Sequence, residues 1–123
     1  MTPQETRVFS LSDIRSIVEG TVFAGEDSLD RVQVEKAFAS DLMSEVLTLL
    51  TDNLLLITGL NNIQAVRTAE MADIGAILFV RGKRPTEKMK ELAESSGIVL
   101  LGTPYSMYRT GGILYTAGLG YVF

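Results

Sequence analysis

Three polar loops carry the side chains of this sequence best suited to chemistry. RGKRP (81–85) brings Arg81, Lys83 and Arg84 together just before a helix start at Pro85 and Thr86. Cations so placed bind an anion such as a phosphate group, through charge-assisted hydrogen bonds and the positive end of the helix dipole. TGLNN (58–62) and GTPYS (102–106) have the same setting, each following an apolar run and leading into a helical stretch. Arg109, the only charge after Glu94, falls in the first turn beyond GTPYS. A lone charge in an apolar segment needs a partner, either an internal carboxylate or a ligand. The candidate ligand-binding residues are therefore Thr58, Gly59, Asn61, Arg81, Gly82, Lys83, Arg84, Thr103, Ser106 and Arg109. The competing reading of RGKRP is a solvated basic loop.

Reaction chemistry is hard to place in this chain. It has no cysteine and no histidine, which removes thiol nucleophiles, Ser–His and Cys–His dyads, disulfides and Cys/His zinc sites together. The phosphate-loop signature GxxxxGK[ST] is missing, and Gly59-Leu60-Asn61-Asn62 is too poor in glycine for a dinucleotide fingerprint. Kinase, NTPase and dehydrogenase are rejected, and no catalytic residue, metal or cofactor is expected. Glu26, Asp27 and Asp30 in GEDSLDR (25–31) could gather a divalent ion, but they follow no ligand pattern and read better as a solvated turn.

Charge and hydropathy narrow the partners further. A net charge of −4 argues against general nucleic-acid binding, which needs a surplus of Lys and Arg. MTPQETRVFSLSDIRS lacks the basic start and apolar core of a signal peptide, and no apolar run approaches the roughly 18 residues of a membrane span. A cytosolic protein away from membranes is expected, and 123 residues suit one domain over 1–123.

The elements that must hold the three loops follow from periodicity. Leu54–Thr58, 76–80 and 98–101 are apolar nearly throughout, as strands covered on both faces are. Between them, 62–72 carries a small-residue stripe of Ala65, Val66, Ala69 and Ala72, and 86–96 carries Met89, Leu92, Ala93 and Ser96 at helical spacing, with Lys90–Glu94 as an exposed pair. Gly59, Gly82 and Gly102 close the three strands at spacings of 23 and 20 residues. This is a repeated βα unit, and right-handed crossovers put its loops on one edge of a parallel sheet, where open α/β sheets bind ligands.

Upstream, the pattern predicts a helix over 10–20 stopped by Gly20, and a strand at Thr21–Ala24. A single strand over 32–39 is expected, with Val32, Val34, Lys36 and Phe38 in phase. Lys36 is then either an inward-pointing edge charge or an anion ligand. Residues 40–50 read as an amphipathic helix with Leu42, Val46, Leu49 and Leu50 on its buried face. After Arg109 the chain is uncharged, and all four tyrosines lie between Tyr105 and Tyr121. Gly111 and Gly112 cost about 1 kcal/mol each in a helix, so either something approaches the backbone closely there or the helix breaks. Tyr108, Gly111, Gly112, Ile113, Tyr115 and Tyr121 are the expected contacts of a second copy of the chain; the alternative is a terminal strand completing the chain's own core.

The strings DLMSEVL (41–47), LLLITGL (54–60), QAVRTAEMADI (64–74), ILFVRGK (77–83) and SMYRTGGILY (106–115) resemble the DRTGG domain family over nearly the full chain. Tyr108-Arg109-Thr110-Gly111-Gly112 lacks the leading Asp of the literal family string. The resemblance implies a three-layer α/β domain, a mostly parallel central sheet with helices on both faces, similar to the N-terminal domains of HPr kinase and the Mur ligases. It also implies a regulatory or dimerising role without catalysis. Family members stand beside CBS domains in regulated pyrophosphatases, where the pair senses adenine nucleotides. The function expected is a homodimeric sensor of a small anionic ligand such as an adenine nucleotide, reporting to a partner enzyme on another polypeptide. The alternative is a protein–protein adaptor without a ligand.

Overall fold

Thirteen residues in the three apolar runs form strands β5 (Leu54–Thr58), β6 (Ala76–Phe79) and β7 (Val99–Gly102), and every one of them is buried. Their side chains alternate between two cores: Leu54, Leu56, Ile77, Phe79 and Leu100 face one, while Leu55, Ile57, Leu78, Val99 and Leu101 face the other. A sheet greasy on both sides must be covered on both sides, and helices cover it. The computed structural model describes residues 7–123; the part of the leader reading that concerns residues 1–6 lies outside them.

In chain order the remaining elements are β1 (Phe9–Ser10), α1 (Leu11–Ile17), β2 (Thr21–Ala24), β3 (Gln33–Val34), β4 (Lys36–Ala39), α2 (Met43–Val46), α3 (Ile63–Met71), α4 (Glu87–Ser96), α5 (Met107–Ala117) and β8 (Gly120–Tyr121). Six strands form the main sheet in the order β2-β7-β6-β5-β4-β8. All its neighbours run parallel except β2, which pairs antiparallel with β7. Buried residues of α2, α3 and α4 line one core, and those of α1 and α5 line the other with the small β1–β3 ladder. The result is the three-layer α/β architecture with a mostly parallel sheet.

The central unit follows its sequence closely. Asn62 caps α3 by accepting the Gln64 N–H, Thr86 caps α4 by accepting from Met89, and Ser106 caps α5 by accepting from Arg109. Outside it, five expectations need correction. The predicted strand over 32–39 breaks at Glu35, whose N–H donates to Asn53 O at 2.8 Å as the chain leaves the small ladder for the main sheet; Val34 and Phe38 consequently face different cores. The helix expected over 40–50 shrinks to α2. Beyond it, Thr48 and Leu49 donate to the carbonyls three residues back, so Met43, Val46 and Leu49 are buried at spacing three while Leu42 and Leu50 are exposed. Lys90 pairs with Glu87 at 3.2 Å rather than with Glu94, because Glu94 accepts the Gly25 N–H at 2.8 Å. Helix α1 ends at Ile17 with Val18 as its cap, and the left-handed residue that follows is Glu19 (φ 52°), not Gly20.

The fifth correction concerns the tail. Helix α5 runs unbroken through Gly111 and Gly112 instead of breaking there, and β8 then pairs with β4, Lys36 opposite Gly120, as the alternative of a terminal strand has it. Lys36 therefore stands at the amino end of a strand flanked on both sides, with Nζ donating to Thr51 Oγ1 at 3.2 Å, away from the three loops. Glu26–Ser28 is a 3-10 turn, and Asp30 accepts from the Ser12 hydroxyl at 2.7 Å. Among the described residues no helix is long and apolar enough to cross a membrane.

Candidate ligand cleft at the carboxyl edge of the sheet

Strands β5, β6 and β7 run parallel, so the loops TGLNN, RGKRP and GTPYS leave the sheet along one edge. From β6 the chain departs to α4 on one face, and from neighbouring β7 it departs to α5 on the other. Adjacent strands whose connections diverge to opposite faces open a crevice between their loops. Strand β2 closes this crevice on the far side of β7: Thr21 pairs with Gly102, which delivers Glu19 and Gly20 to the same edge.

Much of the loop chemistry is spent on holding the loops to one another. Arg81 adopts the left-handed conformation (φ 56°) followed by Gly82 (φ 70°). Their N–H groups donate to Tyr105 O (2.8 Å) and Thr103 O (2.9 Å). A non-glycine residue there stores of order 1 kcal/mol of strain, which the surrounding bonds must outweigh. The Thr103 hydroxyl donates to Val18 O at 2.7 Å, fastening GTPYS to the end of α1. Asn61 Nδ2 donates to Arg84 O at 3.1 Å. Asp41, near the start of the segment expected as a helix over 40–50, accepts both the Gly59 N–H (2.7 Å) and the Thr58 hydroxyl (2.9 Å) through Oδ1. Its carboxylate occupies the place at the end of β5 where an anion would meet the backbone.

The cations, by contrast, are spared. Arg81, Lys83, Arg84 and Arg109 are all exposed, and the only ion pair within 4 Å among the described residues is Lys90–Glu87. They point to three places. Arg81 reaches toward Gly59 and Asp41, since its Nη2 is 3.3 Å from where a Cβ on Gly59 would sit. Arg84 lies over the Phe23 ring, 5.0 Å from its centroid, with Lys90 Nζ at 5.9 Å. Arg109 covers the Tyr105 ring at 3.9 Å. The Tyr105 hydroxyl donates to Glu19 Oε2 at 2.7 Å. That bond, then burial and the Glu19 charge, hold the phenol above its ordinary value against the opposing pull of Arg109.

Between these groups lies a cleft of about 310 Å³ lined by Glu19, Thr21, Phe23, Gly82, Lys83, Arg84, Gly102, Thr103 and Pro104. Its floor needs a glycine: a Cβ at Gly102 would run into the Phe23 ring. The structure thus brings Gly82, Lys83, Arg84 and Thr103 together and leaves Thr58, Gly59, Asn61 and Arg81 on the β5 side, with Ser106 and Arg109 at the start of α5. Glu19, Phe23 and Asp41 escaped sequence reasoning. Glu19, in the turn before β2, and Phe23, on β2, come from a part of the chain remote in sequence from their neighbours, and Asp41 carries no local signal beyond its place at the start of the predicted helix. A wider hollow of about 460 Å³ at the amino edge has Asp52 and Asp73 against Arg31, a worse setting for an anion.

The predicted contact residues on α5 are placed as follows. Tyr108 is 92% exposed, Tyr115 60% and Tyr121 50%, with Tyr115 and Tyr121 stacked at 6.3 Å. A Cβ at Gly111 or Gly112 would meet nothing within 4 Å. Nothing in the folded chain therefore demands glycine there. Ile113 is half-buried.

Comparison with known proteins agrees with this architecture. The crystal structure of the CBS and DRTGG domains of the regulatory region of Clostridium perfringens pyrophosphatase, complexed with its activator diadenosine tetraphosphate, superposes with a TM-score of 0.71 at 15% identity. The match covers 85% of this chain and 45% of that one, and at such identity the likeness is one of fold. No curated protein matches the sequence. The family model described as "DRTGG domain" matches residues 13–117, and the chain belongs to the DRTGG domain family.

Proposed function

We propose that this single-domain chain is a non-catalytic regulatory domain that binds a small anionic ligand, adenine nucleotides first among the candidates, at the carboxyl edge of its sheet. The observation that carries the reading is the set of four exposed cations, Arg81, Lys83, Arg84 and Arg109, at one edge without a carboxylate within 4 Å among the described residues, in a protein whose net charge is −4. Acids are in surplus, yet among the described residues none forms an ion pair with these four. Thr58, Gly59, Asn61, Gly82, Thr103 and Ser106 act as the loop framework that presents these cations. The activator-bound regulatory region of the Clostridium pyrophosphatase supports a sensing role for the fold.

The reading includes a homodimer joined through α5. Its exposed face carries Tyr108, Gly111, Gly112 and Tyr115, and no charge follows Arg109. A neutral face can meet its own copy about a two-fold axis without like-charge repulsion, and the open backbone at the two glycines lets helices approach closely. A partner enzyme then reads the liganded dimer. The adaptor reading uses the same face without a ligand, and the exposed tyrosines favour it equally.

Isothermal calorimetry of the chain against ATP, ADP, AMP and inorganic phosphate separates the two. Binding should be lost when the four cations are replaced together by alanine, since each charged hydrogen bond is worth about 1.5–3 kcal/mol. No heat at millimolar anion would refute the sensor and leave the adaptor.

A further inference from the structure

Beside its two cations the cleft holds two groups that a bare anion does not need, the Phe23 ring and the Glu19 carboxylate. Their arrangement is informative. Lys83 and Arg84 form one wall, and two cations suit a phosphate dianion. Glu19 stands in the opposite wall; its Oε2 accepts from Tyr105, which leaves Oε1 to accept from a ligand. A carboxylate there repels free phosphate but suits the paired hydroxyls of a ribose, the task an acidic residue performs in other α/β nucleotide sites. Phe23 abuts Gly102 with the Cε2 edge of its ring and lies beneath the exposed Arg84 guanidinium. A flat heterocycle can take the guanidinium's place on that ring, freeing Arg84 for the phosphate. At about 310 Å³ the cleft is at the small end of the roughly 300–1,000 Å³ range of ligand sites, room for one nucleotide and not for two joined ones.

We infer that this cleft is a subsite for a single nucleoside monophosphate, with the phosphate on Lys83 and Arg84, the ribose hydroxyls on Glu19 and the base on Phe23. The inference rests on the sensor reading above and sharpens it: Arg81, turned toward Asp41 and Gly59, is not a ligand of this subsite. Glu19 and Phe23 become the residues that distinguish a nucleotide from phosphate.

The test is calorimetry of the full chain with AMP, ribose 5-phosphate and inorganic phosphate as probes. The wild type should bind AMP most tightly. Glu19→Gln should weaken AMP about tenfold while leaving inorganic phosphate as tight or tighter, a sign reversal that general loss of structure cannot produce. Phe23→Leu should erase the preference for AMP over ribose 5-phosphate, with the melting curve checking the fold. Lys83→Ala should weaken all three probes and Arg81→Ala none. If the wild type binds AMP, but Glu19→Gln and Phe23→Leu leave that affinity unchanged, the subsite is wrong and the sensor reading survives. If the wild type binds none of the probes, both fall.

Discussion

Replacing Gly111 and Gly112 by alanine should separate what α5 does for its own chain from what it does for a second one. Each glycine sits inside an eleven-residue helix, where glycine is less favourable than alanine by about 0.8–1 kcal/mol. An added methyl meets nothing within 4 Å at either position, so no clash offsets the gain. The double variant should be stabilised by about 1.5–2 kcal/mol, and near 4 °C per kcal/mol for a domain of this size that is a rise of roughly 6–8 °C in Tm. Circular dichroism melts at concentrations where sedimentation reports monomer would measure it. Association should move the other way. Two methyls at a close helix crossing cost about 1–3 kcal/mol of overpacking, so the dimer should weaken about tenfold or more by sedimentation. A lower Tm at dilution would refute the open space at these positions. A higher Tm with unchanged association would remove the glycines from any interface.

Three further outcomes follow from the site. Gly102→Ala should cost about 1–3 kcal/mol in urea denaturation by pressing on the Phe23 ring, and Phe23→Leu in the same chain should recover part of it; additive costs would mean that the two do not touch. Asp41→Ala should destabilise by about 1–2 kcal/mol, because the end of β5 loses the acceptor of the Gly59 N–H and of the buried Thr58 hydroxyl; an unmoved midpoint would show that water replaces it freely. Tyr105 is held above 10.0 by its bond to Glu19, so its contribution to stability is complete below the ordinary phenol value and is lost as pH rises through the higher folded value. In an ultraviolet titration above pH about 10, Tyr105→Phe should remove a late-ionising phenol; an unchanged late portion would place the raised group elsewhere.

The centre of this fold was legible because its elements obey one period each. The strands at 54–58 and 76–79 and helices α3 and α4 satisfy propensity, capping and burial together, so local and global preferences agree. Legibility failed where a tertiary partner intervenes. Val32, Val34 and Phe38 alternate as one strand, yet the chain changes sheets at Glu35, a switch that alternation cannot register. Leu42 and Leu50 complete a helical stripe on paper, but the bonds after α2 tighten to spacing three and turn both leucines to solvent. At the site, the cations of RGKRP announced themselves by clustering. The groups that give the cleft its chemical character, Glu19 and Phe23, lie just before and on β2, a strand the sequence predicts but whose antiparallel place beside β7 the repeat of parallel units does not.

The pairing of β8 with β4 has a kinetic meaning. Lys36 must wait for Gly120, whereas it meets Leu54 after a span several times shorter; closing the longer loop costs about 1.4 kcal/mol more in chain entropy. Only two residue pairs reward that closure. Strands β8 and β2, which close over similarly long spans, should therefore pair late, and β8, with the smallest ladder of the main sheet, should be the first to open, baring the edge of β4. With that edge open, the charge of Lys36 at the start of β4 should disfavour pairing by a foreign strand.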